Sequence, residues 1–162
     1  MEKRANKIAE NAVTVDMQFR GLFVTEFWVK MIEEFIKLDS ETKGGFKNYT
    51  FEVTCINNAS VPDNMVNIQV HVKVFLDAEK KNQLGFLSLS NLFFVKDLKQ
   101  FVDEANNIYR LPEPLEVTLI SISLSHSRAI LLAKCAGTFL QNAVLPIMNP
   151  KAFVKRQTNK KM

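Results

Sequence analysis

The chain has 162 residues, 47% of them apolar and 23% charged, with a formal charge of +4. That length suggests one domain, residues 1–162, and the apolar fraction suffices for a buried core. Two cysteines, Cys55 and Cys135, are too few for a disulfide scaffold, and the charge comes with no base-reading module, so nucleic acid is not an expected partner.

Much of the basic excess sits at the ends, so residues 1–12 read as an N-terminal extension and 155–162 as a basic tail. No charged start leads into an apolar stretch with a small-residue cleavage site, and no apolar run reaches ~18 residues. The expectation is therefore a cytoplasmic protein with reduced thiols and no membrane insertion. Phenylalanine dominates the aromatics, 13 against one tryptophan and two tyrosines, enough to fill a core or to furnish an apolar binding surface.

In chain order, residues 2–11 carry good helix formers and suggest a short helix. The stretch VDMQFRGLFVTEFWVKM is ambiguous. It alternates enough for a strand, yet Phe23, Val24, Phe27, Trp28, Met31, Ile32 and Phe35 also follow helical i, i+3, i+4 spacing, and LDSETKGG would end such a helix. A strand to about Val29 followed by a short helix is a third reading. NYTFEVTCI (48–56) then alternates, and the Asn, Asp and Pro of NNASVPDN supply a turn. MVNIQVHVKVFL (65–76) puts Val66, Ile68, Val70, Val72, Val74 and Leu76 on one face and Asn67, Gln69, His71 and Lys73 on the other, the pattern of a half-buried strand. LGFLSLSNLFFV (84–95) pairs with it as a hairpin and carries apolar residues on both faces, as a strand covered on both sides does. Residues 48–95 thus predict a three-stranded antiparallel meander.

DLKQFVDEANNIYRLPEP reads as a short helical piece and a loop stopped by Pro112 and Pro114. Residues 115–125 alternate like a strand, with Ile120, Ile122 and Leu124 against Ser121, Ser123 and Ser125. SRAILLAKCAG reads as a helix with a glycine stop. Read as one helix, Leu115, Leu119, Ile122, His126, Ala129 and Ala133 share a side rich in small neighbours, which permits close helix approach. NPKAFVKRQ suggests a short helix with Pro150 in its first turn and Asn149 as its cap. Sheet first, long helix next and short helix last make an α+β arrangement.

Reactive constellations are sparse. The chain has no GxxxxGK[ST], GxGxxG, CxxC, HExxH or GxSxG pattern. His71 falls on the polar face of its strand, where solvent exposure explains it. His126 lies in SHSR, so a Ser125 or Ser127 nucleophile with His126 as base is conceivable, but neighbours on a helix point apart and no acidic orienter is near. Cys135 reads as a small apolar helix residue. Asp16, Glu26, Glu52 and the Glu33–Glu34 pair define no catalytic couple. Binding is a better expectation than catalysis, and no cofactor or metal is implied.

The run SISLSHSRAILLAKCAGTFLQNAVLPIMNPKAF resembles the C-terminal half of the SecB protein-export chaperone family. The matching elements are Arg128 in Ser127-Arg128, Gly137-Thr138-Phe139, the segment from Val144 to Pro150, and Phe153. Upstream, FRGLFVTEFWVK resembles the family's first strand, with Glu26 at its acidic position, and the resemblance extends from about Met17 to Phe153. It implies a four-stranded antiparallel sheet followed by a long helix and a short C-terminal helix. Residues 17–29 are then β, and 115–125 belong to the long helix.

The resemblance further implies a homotetramer, a dimer of dimers with the long helices between them through Leu119, Ile122, His126, Ala129 and Ala133. It implies ATP-independent holding of unfolded preproteins in apolar grooves, and the client contacts it suggests are Phe23, Phe27, Trp28, Phe35, Phe139, Leu145, Ile147, Met148 and Phe153. Burial of apolar side chains is non-directional and suits clients of many sequences. Two departures matter. Lys30 falls near where an acidic residue is expected, and the chain ends in a basic NKKM, so contact with the SecA motor is in doubt. The family's Pro ahead of the Arg is missing as well. A member dedicated to one client, such as an antitoxin, is an alternative. So are an adaptor that pairs a sheet edge with one partner, and a small enzyme using His126 or Glu26.

Overall fold

A 13-residue strand, β1 (Met17–Val29), opens the fold. The computed structural model describes residues 16–42, 49–76, 78–103 and 108–158, so the helix expected over 2–11 lies outside the described residues. After β1 the chain turns into a short crossover helix, α1 (Glu33–Thr42), so the third reading of this ambiguous stretch is the one adopted. Strands β2 (Thr50–Ser60), β3 (Met65–Phe75) and β4 (Gln83–Val95) form the expected meander. β1 returns to pair with β4, giving an antiparallel sheet ordered β1-β4-β3-β2.

The ladder between β1 and β4 explains why the first strand was hard to read. Two bulges interrupt it, at Arg20 and at Thr25. Each inserts one unpaired residue and so exchanges the faces of everything after it. The side chains aligned with the inner positions of β4 are Phe19, then Leu22 and Val24, then Phe27 and Val29. Their spacing of three, two, three and two mimics helical periodicity.

The connection after β4 differs from the expected helix and loop. A 3₁₀ turn (Leu98–Phe101) is present, but β5 (Val102–Asp103) and β6 (Ile108–Tyr109) follow as a short antiparallel pair. Val102 and Tyr109 supply the β-forming side chains of that pair.

α2 (Glu113–Cys135) takes in residues 115–125, against their local alternation. Its buried residues are Leu115, Leu119, Ile120, Ser123, Leu124, Ser127, Leu131 and Cys135, one stripe at helical spacing. Serine fits that stripe because its hydroxyl stays on its own helix: Ser123 Oγ donates to Leu119 O and Ser127 Oγ to Ser123 O, each at 2.8 Å. α2 is long and apolar enough to cross a membrane by length and composition, unlike the runs weighed from sequence, yet its stripe is packed on the sheet.

The helix ends in a turn over Cys135–Thr138, with Gly137 at φ 74° and Thr138 N–H donating to Cys135 O at 3.0 Å. Glycine adopts that backbone without the clash a Cβ brings. The chain then runs without regular structure over 143–149 into α3 (Lys151–Thr158), which extends into the stretch expected as tail. Asn149 Oδ1 accepts from Lys151 N–H at 3.1 Å, the expected cap.

The core lies between α2 and the inner face of the sheet, where Val66, Ile68, Val70, Val72 and Val74 of β3 meet Leu87, Leu89 and Phe93 of β4. The fold class is α+β: a four-stranded antiparallel sheet, a long helix and a short C-terminal helix, in the order the SecB resemblance implies.

Candidate functional site

α2 packs over β3 and β4, the two central strands, and leaves the inner side of β1 only partly roofed. Phe19 and Val24 are exposed there, while Leu22 and Phe27 are half-buried. Phe19 meets Phe93 edge-on at 5.6 Å and the ring of His126 at 5.0 Å. Further along the cleft, the Lys134 ammonium stands 6.0 Å from the Phe27 ring centre, a cation–π distance.

His126 is fixed by Asn91, a fully buried residue on β4. The Asn91 amide Nδ2 donates to Ile68 O at 3.2 Å, so its Oδ1 is the acceptor facing His126 Nδ1 at 2.8 Å. That assigns the proton to His126 Nδ1. No serine joins the pair: Ser125 Oγ donates to Ser121 O and Ser127 Oγ to Ser123 O. Neither conceivable serine–histidine couple is therefore assembled.

The outer face of the sheet carries a second apolar group. Phe23 is 55% exposed, and Trp28 packs at 6.1 Å from Phe86, which stacks in turn on His71 at 5.9 Å. Trp28 Nε1 donates to Glu26 Oε1 at 3.1 Å, and the Arg20 guanidinium sits 5.2 Å from the Phe94 ring centre. Between these aromatics lie Ser88 and Ser90, both buried by their neighbours. Thr25 Oγ1 bonds Ser88 Oγ at 2.6 Å, and Ser90 Oγ donates to Asn67 Oδ1 at 2.7 Å. Glu26 thus supports an aromatic side chain. Among the described residues no cluster of His, Cys, Asp and Glu could hold a metal ion.

The third group surrounds the end of the chain. Phe35 of α1 meets Phe139 edge-on at 4.7 Å, and Tyr49 Oη donates to Phe139 O at 3.4 Å. Beyond them a strap, residues 143–149, crosses back toward the middle of α2. Leu145 points into the core, while Ile147 is 90% exposed and Met148 half-buried. Arg128 holds the strap from α2: Nε donates to Leu145 O at 2.9 Å and Nη2 to Pro146 O at 3.0 Å.

The residues expected to touch a client are therefore not brought into one site. Phe23 and Trp28 lie on the outer face, Phe27 in the inner cleft and Ile147 on the strap. Met148 and Phe139 are half-buried, and Phe35, Leu145 and Phe153 belong to the core. Of the expected interface residues, Leu119 is wholly buried against the sheet. Ile122 and His126 are half-buried, His126 against Phe19 of β1, and Ala129 and Ala133 are exposed. Sequence reasoning missed Phe19, Val24, Met31, Ile36, Leu132 and Val144, all exposed. Phe19 and Val24 were hidden by the bulges, which no residue type announces. Val144 opens the segment Val144 to Pro150 that carries the SecB resemblance, so it was the one to find.

One further polar group lies at the opposite edge. Glu116 of α2 accepts from Asn57 Nδ2 of β2 at 3.3 Å. Burial raises the carboxyl of Glu116 above its usual range; the Asn57 hydrogen bond opposes this and the charge of Glu113 adds to it. Burial likewise pushes the Tyr109 phenol upward, with Glu116 adding.

No family model matches this chain, and no curated protein matches it. Among solved structures, a SecB-like chaperone of Mycobacterium tuberculosis in complex with a peptide from the HigA1 antitoxin is similar with a TM-score of 0.47. The two share 11% identity over 82% of this chain and 90% of that one. A protein of unknown function from Streptococcus agalactiae is similar with a TM-score of 0.33 and 10% identity, over 84% of this chain and 99% of that one.

Proposed function

We propose that this protein is an ATP-independent holdase that binds unfolded or non-native chains, preproteins among them, through exposed apolar surface and keeps them soluble. The observation that carries the reading is the number of large apolar side chains left open on three sides of one small fold: Phe19 and Val24 in the cleft, Phe23 and Trp28 on the outer face, Val144 and Ile147 at the strap. Small groups of exposed large apolar side chains, rimmed by polar residues, suit surfaces that meet a partner or a client. The sequence resemblance to the SecB family supports the same reading. In it the working unit is a cytoplasmic homotetramer, joined through the α2 surface that carries Ile122, His126, Ala129 and Ala133. Some of the exposed residues then meet other subunits and the rest meet clients.

Lys30 favours a second reading. It is exposed at the end of β1, where the family's acidic pattern is expected to meet SecA. A basic residue there weakens that contact and fits a chaperone dedicated to one client, such as an antitoxin.

Light scattering with and without an excess of reduced, unfolded model protein, in the absence of nucleotide, tests the proposal. A tetramer that forms a soluble complex with the unfolded chain is the expected result. A monomer that ignores it overturns the reading.

A further inference from the structure

We infer that Arg128 is the positioning residue of the strap, and that it determines which apolar side chains this part of the molecule offers to a bound chain. The inference rests on the holdase reading for its second half and on geometry alone for its first.

The strap has little else to hold its backbone. Ala143 N–H donates to Leu140 O, and Ala152 N–H to Asn149 O; between Ala143 and Asn149 no backbone–backbone hydrogen bond is formed among the described residues. Pro146 and Pro150 bring no N–H at all. Into that gap the guanidinium of Arg128 sends two hydrogen bonds, to the consecutive carbonyls of Leu145 and Pro146. Among the described residues Arg128 forms no salt bridge, so the strap is the partner its charge faces.

Two bonds to successive carbonyls do more than one. A single bond leaves the segment free to roll about its own axis. A planar fork that meets two carbonyls at once fixes that roll, and with it the direction of the side chains. The result is visible on either side of Pro146: Leu145 is 1% exposed and Ile147 is 90% exposed. Leu145 alone would anchor the strap, but a lone apolar contact is non-directional and does not dictate where Ile147 points. Lysine has the charge and reach of arginine without the fork, so Arg128→Lys separates positioning from mere attraction.

The test uses the full chain with Ile δ1 methyl labelling, and reduced, permanently unfolded protein as the probe of binding. In Arg128→Lys the melting temperature stays close to that of the parent, because the Pro146 side of the contact is open to water. The order parameter of the Ile147 methyl falls, and affinity for the unfolded chain drops about three- to tenfold, ~0.6–1.4 kcal/mol. Ile147→Ser alone gives a loss of similar size, and the double variant loses little more, since the two changes remove the same presented side chain. Two results overturn the inference. An Ile147 methyl as ordered in Arg128→Lys as in the parent shows that the fork does not set the strap. Additive losses in the double variant show that Arg128 acts on binding by another route. If the parent itself does not bind the unfolded chain, the holdase reading and the second half fall together, while the order parameter still decides the first.

Discussion

The central strand β3 and the edge strand β1 are both rich in large apolar residues, and they put them to opposite uses. β3 alternates from Met65 to Val74, with an irregularity in its ladder to β4 only after Val74, and each of its inward valines and its isoleucine is fully buried. β1 breaks its alternation twice, at Arg20 and Thr25, and leaves Phe19, Phe23, Val24 and Trp28 exposed across both faces. A central strand cannot carry such bulges without disrupting two ladders, whereas an edge strand disrupts one. Regular pairing hides apolar surface, and irregular pairing at an edge displays it.

The largest expected contrast is in stability. Ile68→Ala in β3 costs ~2–5 kcal/mol, whereas Phe23→Ala in β1 stays within about 0.5 kcal/mol, both by urea unfolding. Equal losses would mean that the outer face of β1 is covered in the assembled protein. Removing a bulge sharpens the comparison directly. Deletion of Thr25 removes the unpaired residue and leaves Phe27 opposite Leu87 and Trp28 opposite Phe86, so the strand becomes regular at a cost of roughly 0.5–3 kcal/mol with the loss of its bonds to Ser88. The emission of Trp28, the only tryptophan, stays where it is; a blue shift would mean that the strand had slipped by one residue and carried the ring to the helix side.

A comparable loss, roughly 1–3 kcal/mol, is expected for His126→Ala, which leaves the buried Asn91 oxygen without its donor. Pairing that change with Asn91→Leu recovers part of the loss: the Oδ1–Nδ1 pair is then gone on both sides, while the Ile68 carbonyl loses its Asn91 donor. The smallest effect belongs to β2, the other edge strand, which pairs without a bulge. Glu116, bonded to its Asn57, has a raised pKa, so its contribution to stability is fully present below the ordinary glutamate range and is lost as pH rises through the folded value. Glu116→Gln therefore melts higher than the parent at pH 7, by about 1–2 °C, and the gap closes toward pH 4. A gap of the same size at both pH values would remove protonation as its cause.

The same contrast sets what could be read in advance. β3 and the hairpin it makes with β4 were legible because burial on one face imposes a period of two. β1 was not, because its bulges convert that period into one that suits a helix equally well. Residues 115–125 misled for a different reason: buried serine looks polar in a sequence, and its bond back to the helix carbonyl becomes visible only in three dimensions. The cap at Asn149 and the glycine stop at Gly137 were legible because each depends on one residue type at one place. The candidate site was legible in its residue types and not in its geometry, since Phe23, Phe27 and Ile147 end on three different surfaces.

The Asn91–His126 pair has a consequence for how α2 finds its place. The buried leucines and isoleucine of the helix meet a sheet face of valines, and such a seam discriminates poorly against a helix slid by one turn, ~5.4 Å. Any such slide would leave the Asn91 oxygen buried and alone. One hydrogen bond thus acts as an index mark, turning a sliding contact into a single docking position. Through α2 the mark also fixes the height of Arg128, and so the place along the sheet where the strap can attach.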